Sequence, residues 1–313
     1  MSKVLAITGL TGKKSGGAFA ELLQVNFNSV AGTFDEIRAL VRNSSDTKSI
    51  EAKLPRLEIM RGELTNEAHL EKALTGVDTV LHIASIMLSQ KITEVAAKVG
   101  VRRLIFVHTT GIYSKYKAAG EEYRRIDEAV HKICKERNIL LTILRPTMIY
   151  GNIYDGNIVK FIKMADRMKI VPMVKGGRFV LQPVHYKDLA KAYYAVLLNE
   201  QATVNKDFVL SGGSVITLRD IFVEIGKELG KKIRFVNVPF WLAYGGAVVI
   251  SGLTFGKKDY REKVQRLCEP RAYSHEDATN AFGYAPMTFD AGVAEEIKEY
   301  LKSRTPGRET TDL

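Results

Sequence analysis

The hydrophobic positions of this chain come in short runs, each followed by a turn and then an amphipathic stretch. The first run, Val4–Thr8 (VLAIT), is apolar without alternation, the pattern of a strand covered on both faces. Similar runs recur at Ile37–Val41, Leu57–Arg61, Thr79–Ile83, Leu104–His108 and Leu140–Leu144. Between them, Ala18–Leu23, Gln90–Val99 and the stretch opening at Gly120 carry helical patterning. Thr65 or Asn66 is placed to cap a further helix, with Glu67 in its first turn. Strands alternating with helices at this spacing predict an α/β fold, with right-handed βαβ units and a doubly wound parallel sheet.

From Gly151 the texture changes. A helix is expected over Asn157–Met168, a Gly-Gly turn at Gly176 and a long helix over Pro183–Leu198, opened by a polar turn. Asp207–Leu210 and Lys232–Val238 read as strands, and Thr217 as the cap of a helix with Asp220 at the capping-box position. Two lobes are expected. Residues 1–150 with about 181–212 form the α/β domain, and about 151–180 with 213–303 form a smaller substrate lobe. Residues 304–313 read as a disordered tail. Pro239–Phe255 is the most apolar stretch and carries no charge, yet it is shorter than the ~20 residues of a spanning helix. It is expected as a buried or lid helix beside an apolar pocket. Contact with a membrane surface is the alternative, because Lys257, Lys258 and Arg261 follow it.

The first turn carries the most specific chemistry. Gly9, Gly12, Gly16 and Gly17 crowd the link between the first strand and its helix, in the order TGLTGKKSGG. Strand, glycine-rich turn and helix together present backbone N–H groups to a phosphate. GxGxxG is absent, and the third glycine position falls on Ser15, or on Gly16 with one inserted residue. The P-loop spacing is not met either, since Lys13 is followed by Lys14. The second strand ends at Arg42 with no acid beside it, which favours a 2′-phosphate over a free ribose hydroxyl. Lys13 and Lys14 add positive charge nearby. Ala84 and Ser85, after the fourth run, are small enough to let a ligand approach the backbone.

Composition narrows the class. A chain of 313 residues with 46% hydrophobic and 26% charged residues is an ordinary globular protein. The two cysteines, Cys134 and Cys268, suggest reduced thiols, and a strand beginning at residue 4 leaves no room for a signal peptide, so the cytoplasm is expected. The formal charge of +11 suits a phosphorylated ligand, a nucleic acid or an anionic surface. The basic residues are scattered with no aromatic-interleaved patch, so nucleic-acid binding is not expected. The six histidines form no HxxxH pair and neither cysteine has close ligand neighbours, so no metal is expected. A GxSxG elbow is missing as well.

TGLTG, ALVRN, RGELT, VLHIAS, VRRLIFVHTTGIYS, LTILRPTMIYG and LQPVHYKDLAKA occur in this order along the chain. In order and spacing they resemble the short-chain dehydrogenase/reductase superfamily, in its extended NAD-dependent epimerase/dehydratase type with NmrA-like atypical relatives. The resemblance spans about residues 3 to 300. It implies a seven-stranded Rossmann core, a C-terminal substrate lobe, and a Ser/Thr, a Tyr and a Lys acting together. Thr109 matches the Ser/Thr and Tyr123 the Tyr, the general acid/base at a substrate hydroxyl or carbonyl. Where the Lys should stand, four residues on, is Asp127, which would point at the same site with the wrong charge. A literal YxxxK at Tyr113 and Lys117 comes early, in an expected loop.

Arg42, with Lys13 and Lys14 nearby, makes NADP the expected cofactor, with NAD less favoured. Its expected contacts are Gly9, Thr11, Gly12, Lys13, Lys14, Ser15, Gly16, Arg42, Glu63, Leu64, Ile83, Ala84, Ser85, Pro146 and Met148. A small-molecule substrate would lie between the lobes, lined by Met148, Tyr150, His185 and the helix of Trp241. The expected activity is hydride transfer at a small hydroxyl or carbonyl compound by a monomer or homodimer. The alternative is an NADP sensor or assembly protein that has lost catalysis.

Overall fold

Seven of the apolar runs pair into one parallel sheet. Its strands are β1 (Val4–Thr8), β2 (Glu36–Val41), β3 (Leu57–Arg61), β4 (Thr79–His82), β5 (Arg103–Val107), β6 (Leu140–Pro146) and β7 (Lys206–Leu210). The spatial order is β7-β6-β5-β4-β1-β2-β3, and every pairing is parallel. This is the doubly wound Rossmann arrangement, whose order reverses at β1 and β4. β1, β4 and β5 are buried along their whole length, which is why these runs do not alternate. The computed structural model describes residues 3–26, 29–30, 32–54, 57–116, 118–254 and 259–304.

The chain divides into two units. The first comprises residues 1–147, 187–210 and 274–285; the second comprises 148–186, 211–273 and 286–313. Residues 274–285, expected in the substrate lobe, therefore belong with the sheet: Phe282 packs edge-on against Phe208 of β7 at 5.2 Å. One face of the sheet is covered by the Glu67–Leu74, Ser89–Val99 and Gly120–Arg137 helices, which bury Leu70, Leu74, Ile92, Val95, Ile126 and Val130. Asn66 is the residue that caps the first of these, its side chain accepting from His69 N at 3.0 Å. Asn138 ends the last in the left-handed region.

The second unit has three two-stranded ribbons. Ile149–Tyr150 pairs with Val184–His185, Val180–Leu181 with Ile216–Thr217, and Ile170–Val174 with Arg234–Val238. Its core gathers Ile158, Ile162, Phe222, Ile225, Phe289 and Val293. Thr217 caps the Leu218–Glu228 helix, accepting from Asp220 N at 3.1 Å.

Three expectations are corrected. The expected Pro183–Leu198 helix begins only at Tyr186, because Val184 and His185 are drawn into the ribbon with Ile149 and Tyr150. Arg304, expected in a tail, is the last residue of the Phe289–Arg304 helix and pairs with Asp166; residues 305–313 lie outside the described residues. The apolar stretch does form a helix, Phe240–Leu253, but it is not buried. Among its residues only Ala247 is.

Candidate functional site

At the carboxyl end of β1 the backbone turns at Gly9, whose φ is +80°. A Cβ there would sit 2.9 Å from Ala84 N, so the turn and the loop after β4 can approach only if residue 9 is glycine. Gly12 N donates to Gly9 O at 3.0 Å, and Gly17 N to Gly12 O at 2.7 Å. The Ser15–Val25 helix then packs directly on the turn, since a Cβ at Gly16 would lie 2.0 Å from Gly9 O. Gly16, with one inserted residue, therefore fills the third glycine role. Ser15 is buried and accepts from the Tyr193 hydroxyl at 3.2 Å, which anchors the helix start from behind.

The electrostatics of this helix start are one-sided. Its first turn holds no acid, while Lys13 and Lys14 stand exposed just before it. The positive end of a helix dipole disfavours cations unless an anion is brought there. Thr11 is half-buried and Gly12 exposed, leaving the outer side of the turn open. A pyrophosphate fits a cradle of this kind.

Arg42 follows β2 with an exposed side chain that makes no hydrogen bond among the described residues. Glu63 is exposed after β3, and Leu64 packs on the core beside it. Ile83 N donates to Thr8 O at 3.2 Å, which carries the β1–β4 pairing into the loop of Ala84 and Ser85, both exposed. His82, which the sequence pattern did not single out, locks this corner. Its ring is fully buried and bonds Thr8 Oγ1 at 2.6 Å and Ser85 O at 2.8 Å. Burial holds the His82 imidazole at about 4, so it is neutral and donates to the Ser85 carbonyl. A polar residue ending a wholly buried strand was the signal available in VLHIAS.

Thr109 and Tyr123 come together at the end of β5. Thr109 Oγ1 accepts from Gly111 N at 3.0 Å. A Cβ on Gly111 would lie 3.2 Å from Thr109 Oγ1 and 3.5 Å from Tyr123 Cε2, so both side chains converge on this glycine. Tyr123 sits in the first turn of the Gly120–Arg137 helix and is partly buried on the core.

Asp127 shares this helix but does not stand open to the site. Arg145 donates to it through both terminal nitrogens, at 2.8 and 2.9 Å, and His108 Nδ1 lies 2.7 Å away. Burial opposes ionisation, but the bonds from His108 and Arg145 win and hold the Asp127 carboxyl far below the usual carboxylate range. Arg145 also grips Asp207, which lies 3.2 Å from His131 Nε2. Asp127, His131 and Asp207 are close enough together to share a metal ion, but a guanidinium already takes both oxygens of Asp127. The family's lysine position is thus filled by a buried, compensated network. Tyr113 is half-exposed, and burial pushes its phenol up. Lys117 lies outside the described residues.

The remaining expected contacts are scattered. Pro146 ends β6 and its carbonyl accepts from Thr110 Oγ1 at 3.2 Å. Met148 belongs to the second unit, where it packs on that unit's core. Tyr150 and His185 do not line an opening: each is 1% exposed, and their rings pack edge-on at 5.3 Å inside the second unit. Trp241 is 72% exposed.

Residues 29–199 match the family described as NAD(P)H-binding. The chain is 22% identical to an N-acetyl-alpha-D-glucosaminyl-diphospho-ditrans,octacis-undecaprenol 4-epimerase of Escherichia coli O157:H7, across 74% of this chain and 80% of that protein. It is 24% identical to the decarboxylating sterol-4-alpha-carboxylate 3-dehydrogenase of Mus musculus, across 79% of this chain and 80% of that one. Its fold is similar to that of UDP-glucuronic acid 4-epimerase from Bacillus cereus, solved with UDP-glucuronic acid and NAD. There the TM-score is 0.72 at 16% identity, with 96% of this chain and 99% of that one covered. The match over more than half the chain and the seven-stranded sheet agree: the chain belongs to the NAD(P)H-binding family, with the Rossmann domain of the extended short-chain dehydrogenase/reductase and epimerase/dehydratase superfamily.

Proposed function

We propose that this protein is an NAD(P)-dependent oxidoreductase or epimerase/dehydratase acting on a small hydroxyl or carbonyl compound. The observation that carries the reading is the convergence of Thr109 and Tyr123 on Gly111, at the carboxyl end of the strand next to β4. The relatives named above are an epimerase and a dehydrogenase, and nothing among them supports a sensor that has lost catalysis.

The Gly9–Gly16 turn would hold the pyrophosphate, Glu63 and Leu64 the adenine side, and Ala84 and Ser85 the backbone beyond it. Bound there, the nicotinamide supplies hydride acceptance and donation. The chain's own residues handle the proton. Thr109 Oγ1 donates a hydrogen bond to the substrate oxygen and fixes it; Tyr123 Oη gives a proton to that oxygen in reduction and takes it in oxidation. No lysine assists from position 127. Arg145 and His108 instead keep the charge of Asp127 away from the tyrosine.

Arg42 makes NADP the preferred nucleotide in this reading. Its exposed guanidinium follows β2, and no acid stands there to accept from a ribose hydroxyl. Turnover of a panel of carbonyl compounds with NADPH tests the catalytic assignment. Tyr123→Phe should lower it by roughly a hundredfold or more while nucleotide affinity is retained. Equal turnover in both forms would remove Tyr123 from the chemistry.

A further inference from the structure

The Phe240–Leu253 helix is turned inside out for a protein surface. It contains no charged residue. The residues it turns inward, at helical spacing, are Phe240, Ala243, Tyr244, Ala247 and Ser251, mostly small or polar-tipped. Those it turns to solvent are apolar, three glycines (Gly245, Gly246, Gly252) beside the large Trp241 at 72% exposure, Leu242 at 52%, Val249 at 59% and Leu253 at 76%, with Val248 and Ile250 between them. A helix on a globular protein ordinarily shows the reverse, and a contiguous apolar face marks a binding surface.

The charge around it says what kind of surface it meets. Between Lys231 and Arg271 the sequence carries nine lysines and arginines against three acids, a net +6 out of the chain's +11. Lys175 adds a cation 5.5 Å from the Phe240 ring. Two copies of this face packed on a two-fold axis would bring like charge to like charge, whereas an anionic lipid headgroup layer neutralises it. Fourteen residues span about 21 Å, short of the ~30 Å hydrocarbon core, and no helix among the described residues is long and apolar enough to cross. On a membrane a helix of this kind would lie along the interface, with Trp241 at headgroup depth and Leu242, Val249 and Leu253 in the acyl boundary.

We infer that the Phe240–Leu253 helix seats the protein on an anionic membrane surface. Trp241 is the chain's single tryptophan, so its emission reports the contact directly. The full chain would be titrated with vesicles of phosphatidylcholine, with or without phosphatidylglycerol. The expected result is a blue shift that needs at least about tenfold less lipid when the anionic lipid is present, and that weakens in high salt. Val249→Asp with Leu253→Asp, both at exposed positions, should weaken vesicle binding at least roughly tenfold while circular dichroism and nucleotide binding stay unchanged. Lys232→Glu with Lys263→Glu leaves the apolar face intact and should erase only the anionic preference. An unshifted emission with every vesicle overturns the inference. So does a concentration-dependent dimer that shields Trp241 in sedimentation and is broken by the same aspartates.

Discussion

Asp127 in the first unit and Glu296 in the second are both largely withdrawn from water, and they are handled in opposite ways. Asp127 in the first unit is ionised between Arg145 and His108, with Asp207 completing the network. Glu296 in the second is fully buried with no cation beside it among the described residues. Burial and the neighbouring Asp155 carboxylate push it up to about 10, so it is neutral at pH 7. Its Oε2 accepts from Gly151 N at 3.0 Å, and the Asp155 side chain beside it favours the protonated form. Asp155 lies at the start of the Ile158–Arg167 helix and accepts from Val159 N at 3.4 Å, where a helix dipole favours the anion. An acid withdrawn from water thus keeps its charge where a guanidinium or a helix N-terminus meets it, as at Asp127 and Asp155, and Glu296, which has neither, takes a proton.

The contrast breaks most sharply at Arg145. Arg145→Met leaves the buried Asp127 without its fork and should lower unfolding free energy by about 3–5 kcal/mol in urea titrations. Asp127→Asn is milder, roughly 1–3 kcal/mol, because Asp207 still pairs with Arg145 and the amide still accepts one of its bonds. Glu296→Gln, which keeps an acceptor for Gly151, should change stability by less than about 1 kcal/mol near pH 5.

The pH dependences have opposite signs. The folded-state pKa of Asp127 is depressed, so its contribution is fully present above about 3.9, the unfolded value, and is lost as pH falls from there through the lower folded-state value. Glu296 is raised to about 10, so above about 4.3 the unfolded chain releases a proton that the fold retains, and stability declines as pH rises toward 10. Glu296→Gln should therefore gain on the natural protein steadily between pH 5 and 9, measured by urea midpoints. A gap that stays flat with pH would show that Glu296 is already ionised in the fold.

The strand runs were legible because β1, β4 and β5 are buried along their whole length and largely apolar, and the glycine turn because only glycine fits at Gly9 and Gly16. Thr109 and Tyr123 could be named only through the resemblance carried by TTGIY and the helix opening at Gly120, and both side chains lie beside Gly111 in the structure. What Asp127 does was not legible. Its partners His108, Arg145 and Asp207 come from three other segments, and a sequence pattern gives spacing along one helix only. Val184 and His185 were read as helix because periodicity does not show a two-residue strand partner. The Pro239–Phe255 stretch was read as a buried or lid helix, with membrane-surface contact as the alternative, because composition does not say which face of a helix the protein covers.

The account rests on nucleotide binding at the Gly9–Gly16 turn with a phosphate-selective Arg42. Calorimetric titration with NADPH and NADH tests it most directly. NADPH should bind at least roughly tenfold more tightly, about 1.4 kcal/mol, and Arg42→Ser should bring the two affinities together. Heat from neither nucleotide would contradict the site itself, and tighter binding of NADH would contradict the role of Arg42.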